Sequence, residues 1–156
     1  MNEEPIAINY FCLPFPDLSL EQLYEIMALR QDVFVVEQDC PYLDADGKDY
    51  ESYHLFGKNE IGKIVAYTRL VPKGVSYEDY VSIGRVVTAQ SIRKQGAGKE
   101  LMKFSIEWCK KLFPEEKIKI SAQCYLEKFY TDLGFYATGD YYDEDGIPHM
   151  AMIYKS

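Results

Sequence analysis

Residues 86–99 constrain this chain more than any other stretch. A β-branched run, Val86-Val87-Thr88, leads into a polar turn; Gly96-Ala97-Gly98 follows, and an amphipathic helix begins. Strand, glycine turn and helix together aim several backbone N–H groups at one place. The first N–H groups of a helix lack intrahelical partners, and the helix dipole adds positive charge there. Gly96 and Gly98 keep side chains out of the way and admit unusual φ values. Arg93, Lys94 and Lys99 gather positive charge in a chain whose net charge is −8. The local sign opposes the global one, so the stretch reads as a phosphate cradle; a plain tight turn before a helix is the alternative. A nucleotide P-loop is absent. A Rossmann fingerprint needs a third glycine and a later acid, and here Gly98 is followed by Glu100 and Leu101, while the next strand ends in Ala122-Gln123.

The remaining pattern places this cradle in an α/β domain spanning residues 1–156. Apolar periodicity predicts a first strand over 6–13, closed by Pro14 and Pro16. Ser19 and Gln22 form a capping-box pattern for a helix whose core face is expected to carry Leu20, Leu23, Tyr24, Met27 and Phe34. Strands are expected over 53–57 and 61–71, joined by a turn at 58–60, and over 81–88. Gly84 interrupts the last of these and marks a bulge or a close backbone approach. The cradle helix reads over 98–113, with Trp108 in the core and Pro114 beyond its end. A short strand over 117–121 and a short helix over 125–133 follow, with Gly134 as its C-cap. Two closing strands flank the turn signal Asp145-Gly146. Alternating strands and helices give a mixed sheet.

Composition excludes several partners. The acidic balance argues against nucleic acid, which needs a basic face. No apolar run approaches membrane length, and Met1-Asn2-Glu3-Glu4 is acidic where a secretory signal would be basic. The four cysteines show no C-x-x-C pairing, so reduced thiols and a cytoplasmic location are expected, with no metal site. Residues 35–51 carry six acids on a long irregular stretch, which could hold an amine or simply face solvent. Its glycine falls too early for a calcium loop, and the position twelve counted from Asp44 is Leu55.

Arg93-Lys94-Gln95-Gly96-Ala97-Gly98 resembles the [Q/R]-x-x-G-x-[G/A] acetyl-coenzyme A signature of the GNAT N-acetyltransferases. Phe129-Tyr130-Thr131-Asp132-Leu133-Gly134-Phe135 resembles the family's F-Y-x-x-x-G-F landmark at its usual separation. Val33-Phe34-Val35-Val36-Glu37-Gln38, Cys40-Pro41-Tyr42, Asp46-Gly47, Ser121-Ala122-Gln123 and Ile147-Pro148-His149 look like the ElaA branch. The resemblance implies a GNAT-like mixed sheet, splayed at its centre and flanked by helices. It implies acetyl-CoA as co-substrate, with Val86, Val87 and Thr88 pairing with the pantetheine arm. Arg93, Lys94, Gln95, Gly96, Ala97, Gly98 and Lys99 would hold the pyrophosphate, and Gln123 would hydrogen-bond pantetheine or acceptor.

The implied reaction moves an acetyl group to the amine of a small molecule or peptide in a ternary complex. An alkylamine has a pKa near ~10.4, so a base must take its proton; the leaving thiol, with a pKa of about 8.5, needs less help. Tyr130 is the expected acid and Glu37 the leading base, acting through water. His54 and His149 titrate nearest neutrality and are its rivals. Tyr42, Asp46, His54, Arg69, Arg85 and His149 are expected on the acceptor side; Arg69 and Arg85 either bind a substrate carboxylate or pair with the acidic loop. Two other classes stay open. Leu29-Arg30-x-x-Val33-Phe34 also looks like the start of acyl-homoserine lactone synthases, and a non-catalytic CoA sensor would keep the cradle without turnover. The pattern leaves a homodimer open.

Overall fold

The computed structural model describes residues 7–155. Four strands, β1 (Asn9–Pro14), β2 (Tyr53–Lys58), β3 (Ile64–Val71) and β4 (Ser82–Thr88), form an antiparallel sheet in that order. A second antiparallel sheet has the order β5-β7-β6, from β5 (Lys119–Gln123), β6 (Phe135–Glu144) and β7 (Ile147–Tyr154). One parallel bridge, Val81 with Ile118, joins the two. There Val81 N donates to Lys117 O (3.0 Å) and Lys119 N to Val81 O (2.9 Å). Beyond the bridge β4 and β5 part, so the molecule is an α/β fold with a centrally splayed sheet. Ile6, expected at the start of the first strand, lies outside the described residues.

Three helices cover the sheets. In α1 (Leu20–Arg30) the capping box forms: Gln22 N donates to Ser19 Oγ (3.0 Å), and Ser19 N to Gln22 Oε1 (2.9 Å). The buried face differs from the expected one. Leu20 and Tyr24 are 86% and 78% exposed, while Ile26, Leu29, Arg30 and Val33 are buried. Those four follow the i, i+3, i+4, i+7 spacing of one helical stripe. A search for apolar residues alone passes over it, because its third member is charged. The helix then widens into a π turn (Gln31–Glu37), closed by Gln38 N to Val33 O (3.1 Å) and Cys40 N to Val35 O (3.1 Å).

Ile26, Leu29 and Val33 pack with Phe56, Tyr67 and Val87 on one face of the first sheet. On the other face, α2 (Ala97–Leu112) packs Leu101 with Leu55, Val65 and Ala66, while its Met102 and Ile106 reach across to Ile118, Ile120 and Met152. Alternation along β2 sends Phe56 to one layer and Leu55 to the other, as a period of two requires. Trp108 packs half-buried against this core. The short α3 (Glu127–Asp132) ends at Gly134, whose φ of +109° needs a glycine. Asp145 and Gly146 both take left-handed backbone (φ +52° and +78°), the pair of values a two-residue hairpin turn demands. Among the described residues no helix is long and apolar enough to cross a membrane.

Candidate active site

Where β4 and β5 diverge, a cavity of about 940 Å³ opens. Its walls are the free edge of β4, the end of β5, the π turn after α1, Tyr125 and Tyr130 near α3, and the β6–β7 hairpin. Among the described residues, no strand neighbours the β4 edge that faces it beyond Val81. A bulge lies in β4: Arg69 pairs with Gly84 and Tyr67 with Val87, so Arg85 and Val86 stand opposite Thr68 alone. The bulge was expected at Gly84, yet Arg85 takes the left-handed backbone (φ +49°). The side chain explains why a non-glycine residue holds it, since Arg85 Nε is ion-paired 2.8 Å from Asp44 Oδ1.

The cradle follows at the end of β4. Lys94 and Gly96 take φ of +68° and +75°, whereas Gly98 is helical; the second left-handed residue is Lys94, not Gly98. Gly96 caps α2 without a side chain, and the first helical bond runs from Glu100 N to Gly96 O (3.1 Å). The N–H groups of Ala97, Gly98 and Lys99 therefore precede any intrahelical acceptor. A Cβ at Gly96 would meet nothing within 4 Å, so the space before the helix is open. Lys94, Gln95 and Lys99 are exposed around it and Ala97 is buried. These features fit an anion of pyrophosphate size; of the three β4 residues expected along an amide-bearing chain, Val87 is paired with Tyr67 and Thr88 O accepts from Arg93, which leaves Val86 and the Thr88 N–H toward the free edge.

Arg93 links this cradle to the π turn after α1. Its Nη2 donates to Thr88 O (3.0 Å) and to Glu37 Oε2 (2.9 Å), and its Nη1 to Glu37 Oε1. The hydrogen bonds from Arg93 hold the Glu37 carboxyl below the usual carboxylate range. Gln123 ends β5 half-buried on the cavity wall. Tyr130 lies on the same wall, buried between Phe129 and Phe135 in edge-to-face contacts (5.1 and 5.9 Å). Burial pushes its phenol up to about 12, with a smaller push from Tyr125.

The two histidines part company. His149 lies on the cavity wall. His54 does not: it is 1% exposed, with Nε2 2.9 Å from Asp49 O and Nδ1 2.6 Å from Tyr67 Oη. A carbonyl only accepts, so Nε2 carries the proton and Tyr67 donates to Nδ1. Burial lowers the His54 pKa despite the neighbouring Asp49. A neutral ring sealed in the core is no acceptor-binding group, which corrects that expectation.

Asp46, Arg69 and Arg85 belong to a larger assembly. Arg30, fully buried, donates Nε to Asp44 Oδ2 (2.7 Å), Nη1 to Asp49 Oδ1 (2.7 Å) and Nη2 to Asp44 O (3.1 Å). Arg69 forks onto Asp46 (2.7 and 2.9 Å) and reaches Asp49 (3.1 Å). Arg85 adds Nη2 to Asp44 O (3.0 Å) and to Asp46 Oδ2 (3.3 Å). Tyr42 Oη donates to Asp44 Oδ1 (3.2 Å) on the cavity wall, with its phenol pushed up to about 12 by burial. Burial disfavours both charged carboxyls, but Arg69, the Lys48 amide and Arg85 hold Asp46 low, and Arg30 with Arg69 holds Asp49 low. Three arginines thus neutralise three aspartates. Asp46, Arg69 and Arg85 all line the cavity; the Asp46 carboxylate there is already engaged by the two arginines, and of the two roles foreseen for Arg69 and Arg85 the structure has the pairing with loop acids. Arg30, which carries the cluster, had no role in the sequence reading; the charged member of the buried stripe was its signal.

Residues 21–156 match the family model described as "Acetyltransferase (GNAT) domain". A UPF0039 protein of Synechocystis sp. is 45% identical over 150 residues, 96% of this chain and 97% of its own. Protein ElaA of Escherichia coli is 40% identical over 148 residues (93% and 95%). The crystal structure of that ElaA superposes with a TM-score of 0.88, covering 96% of this chain and 100% of its own. An acyl-CoA N-acyltransferase from Pseudomonas aeruginosa, 37% identical, gives the same TM-score and coverage.

Removing one partner from a buried ion pair strands the others, typically at about 3–5 kcal/mol. Arg30→Met is therefore expected to lower the unfolding free energy by about that amount in urea titration, and adding Asp44→Asn and Asp49→Asn to recover part of the loss. His54 sets a second expectation. Its folded pKa lies below the unfolded 6.5, so the unfolded chain takes the proton first as pH falls. Stability is complete above that value and declines below it. Urea midpoints from about pH 7 to about pH 5 should fall in the parent protein and fall less in His54→Gln.

Proposed function

The chain belongs to the GNAT acetyltransferase family, in its ElaA-like branch, and from that premise we propose that it transfers an acetyl group from acetyl-CoA to the amine of a small molecule or peptide within a ternary complex. Acyl transfer is the chemistry of the family. The observation that carries the finer reading is the free β4 edge on the cavity wall, followed in the chain, beyond Arg93, by the open N-terminus of α2. On this reading the protein is a single cytoplasmic acetyltransferase domain that needs neither metal nor nucleic acid.

Acetyl-CoA would supply a thioester whose C–S bond breaks as the new C–N bond forms, leaving the CoA thiol. Along residues 86–88 the main-chain groups turned away from β3, those of Val86 and the Thr88 N–H, are offered to the pantetheine amides, and Gln123 adds a polar contact from β5. The N–H groups of Ala97, Gly98 and Lys99 receive the pyrophosphate, with Arg93, Lys94, Gln95 and Lys99 around it. Tyr130, protonated throughout the neutral range, stands as donor to the departing sulfur. Glu37 lies on the cavity wall, but a carboxylate held low by Arg93 is a poor acceptor for an ammonium proton.

Thiol release from acetyl-CoA with a panel of amines tests the reading. Tight binding without release would favour the sensor class, and release only from an acyl carrier protein with S-adenosylmethionine would favour the lactone-synthase class. Gly96→Asp places an anion where the pyrophosphate is expected. Aspartate tolerates left-handed backbone at a cost of about 1–2 kcal/mol, so the fold should persist while calorimetry shows acetyl-CoA binding lost. Tyr130→Phe should reduce turnover by roughly 10²-fold or less with cofactor affinity unchanged.

A further inference from the structure

At the hairpin end of the cavity an imidazole nitrogen and a carboxylate oxygen face each other. His149, on β7, is buried, and its Nδ1 lies 2.7 Å from Ile147 O. That oxygen can only accept, so Nδ1 carries a proton whatever the charge of the ring. In the neutral ring Nε2 is therefore a bare lone pair. It stands 3.3 Å from Oε2 of Glu144 on β6, which is half exposed. Both residues line the cavity. Tyr142 stacks on the imidazole at 6.2 Å with planes 15° apart, and Tyr142 Oη is itself tied to Ser121 Oγ (2.6 Å), so the ring's orientation is set by packing.

Resting on the acetyl-transfer reading, we propose that His149 and Glu144 seat and deprotonate the acceptor's primary ammonium group. One ammonium N–H would point at Nε2 and another at Oε2, filling both acceptors with a single cation. An N–H bond then breaks, its proton passes to Nε2, and the electron pair stays on nitrogen as the nucleophile. Glu144 balances the imidazolium formed, and His149 later returns that proton to solvent. Attack leaves a second proton on the new C–N nitrogen; it passes through solvent to Tyr130, replacing the one given to sulfur. The sum is one amide, one thiol and one released proton.

The surroundings suit a cation. From β6, Glu144 and Tyr142 face the ring; from β5, its register partner is the uncharged Gln123. Tyr77, in the segment before β4, stands near Tyr142 and Glu144. Among the described residues no lysine or arginine pairs with Glu144; the arginines of the cavity, Arg69, Arg85 and Arg93, are each committed to a carboxylate, and Lys48, also on its wall, donates to Ser76 Oγ (3.3 Å). His149 thus has what the other two base candidates lack. His54 is sealed in the core, and Glu37 is tied to Arg93.

The test uses the intact protein with putrescine, tyramine and a tripeptide with a free N-terminus. Imidazole proton resonances, assigned with His149→Gln and His54→Gln, should show putrescine moving the His149 signal. Glu144→Gln should weaken that response about tenfold or more, the loss of one charge-assisted bond. In turnover, kcat/KM should rise with pH along a limb that His149→Gln abolishes, with a loss of about 10²–10⁴-fold and acetyl-CoA affinity unchanged. Glu144→Gln should raise the amine KM more than it lowers kcat, and Glu144→Asp should restore part of it. The proposal is overturned if His149→Gln keeps the parent rate and pH limb, or if Glu37→Gln removes that limb instead. The underlying reading fails separately: a parent protein that releases no thiol with any amine, while putrescine still moves the His149 signal, would keep the ammonium seat and lose the transferase.

Discussion

Arg30 holds three distant parts of the chain to one another. Its guanidinium, at the junction of α1 and the π turn, fixes Asp44 and Asp49 of the long acidic segment, and through Asp49 it meets Arg69 on β3. Asp44 in turn tethers Arg85 on β4. A segment rich in carboxylates would otherwise repel itself into solvent; matched by arginines, it becomes a wall. Buried ion clusters often contribute little net stability, but losing one member is costly, so their effect is to permit one arrangement and penalise others. Here that arrangement includes the left-handed Arg85 and, with it, the bulge that turns the β4 edge toward the cavity.

The cavity exists because, among the described residues, one bridge, Val81 with Ile118, is all that joins the two sheets through backbone pairing. A continuous sheet would have satisfied the β4 groups internally. The bulge and the divergence leave them available, and α2 follows β4 across the short turn at residues 89–96. Arg93 spans the same place, donating to Thr88 O and to Glu37 at the end of the π turn after α1. The π turn, the phosphate cradle and the splayed strand thereby share one side chain.

Much of this was legible from local signals. The capping box at Ser19, the left-handed pair Asp145-Gly146, Gly134 after α3 and the glycine turn before α2 each act within a few residues, and each shapes the backbone as local chemistry requires. Features set by distant partners were not legible. The α1 face was misplaced because Arg30 reads as polar until Asp44 and Asp49 surround it. The bulge was put on Gly84 because nothing near Arg85 in sequence shows that Asp44 restrains it. His54 looked like a titratable site residue, and only the β2–β3 pairing and the carbonyl of Asp49 enclose it. Of the residues expected around the cofactor and acceptor, those on β4, β5, β7, the π turn and α3 line the cavity together; the cradle beyond Arg93 lies at the surface outside it.

A strand edge left bare on the outside of a protein recruits other strands, and proteins guard against that with charge, proline or short length. This one keeps its bare edge at the centre of the fold, recessed between two sheets. A neighbouring polypeptide would have to bring its own bulky ladder of side chains into that crevice, whereas a slender amide-bearing thread has none to fit. The recess acts as a thickness gauge, and the groups most prone to illicit pairing are kept where only narrow visitors can reach them.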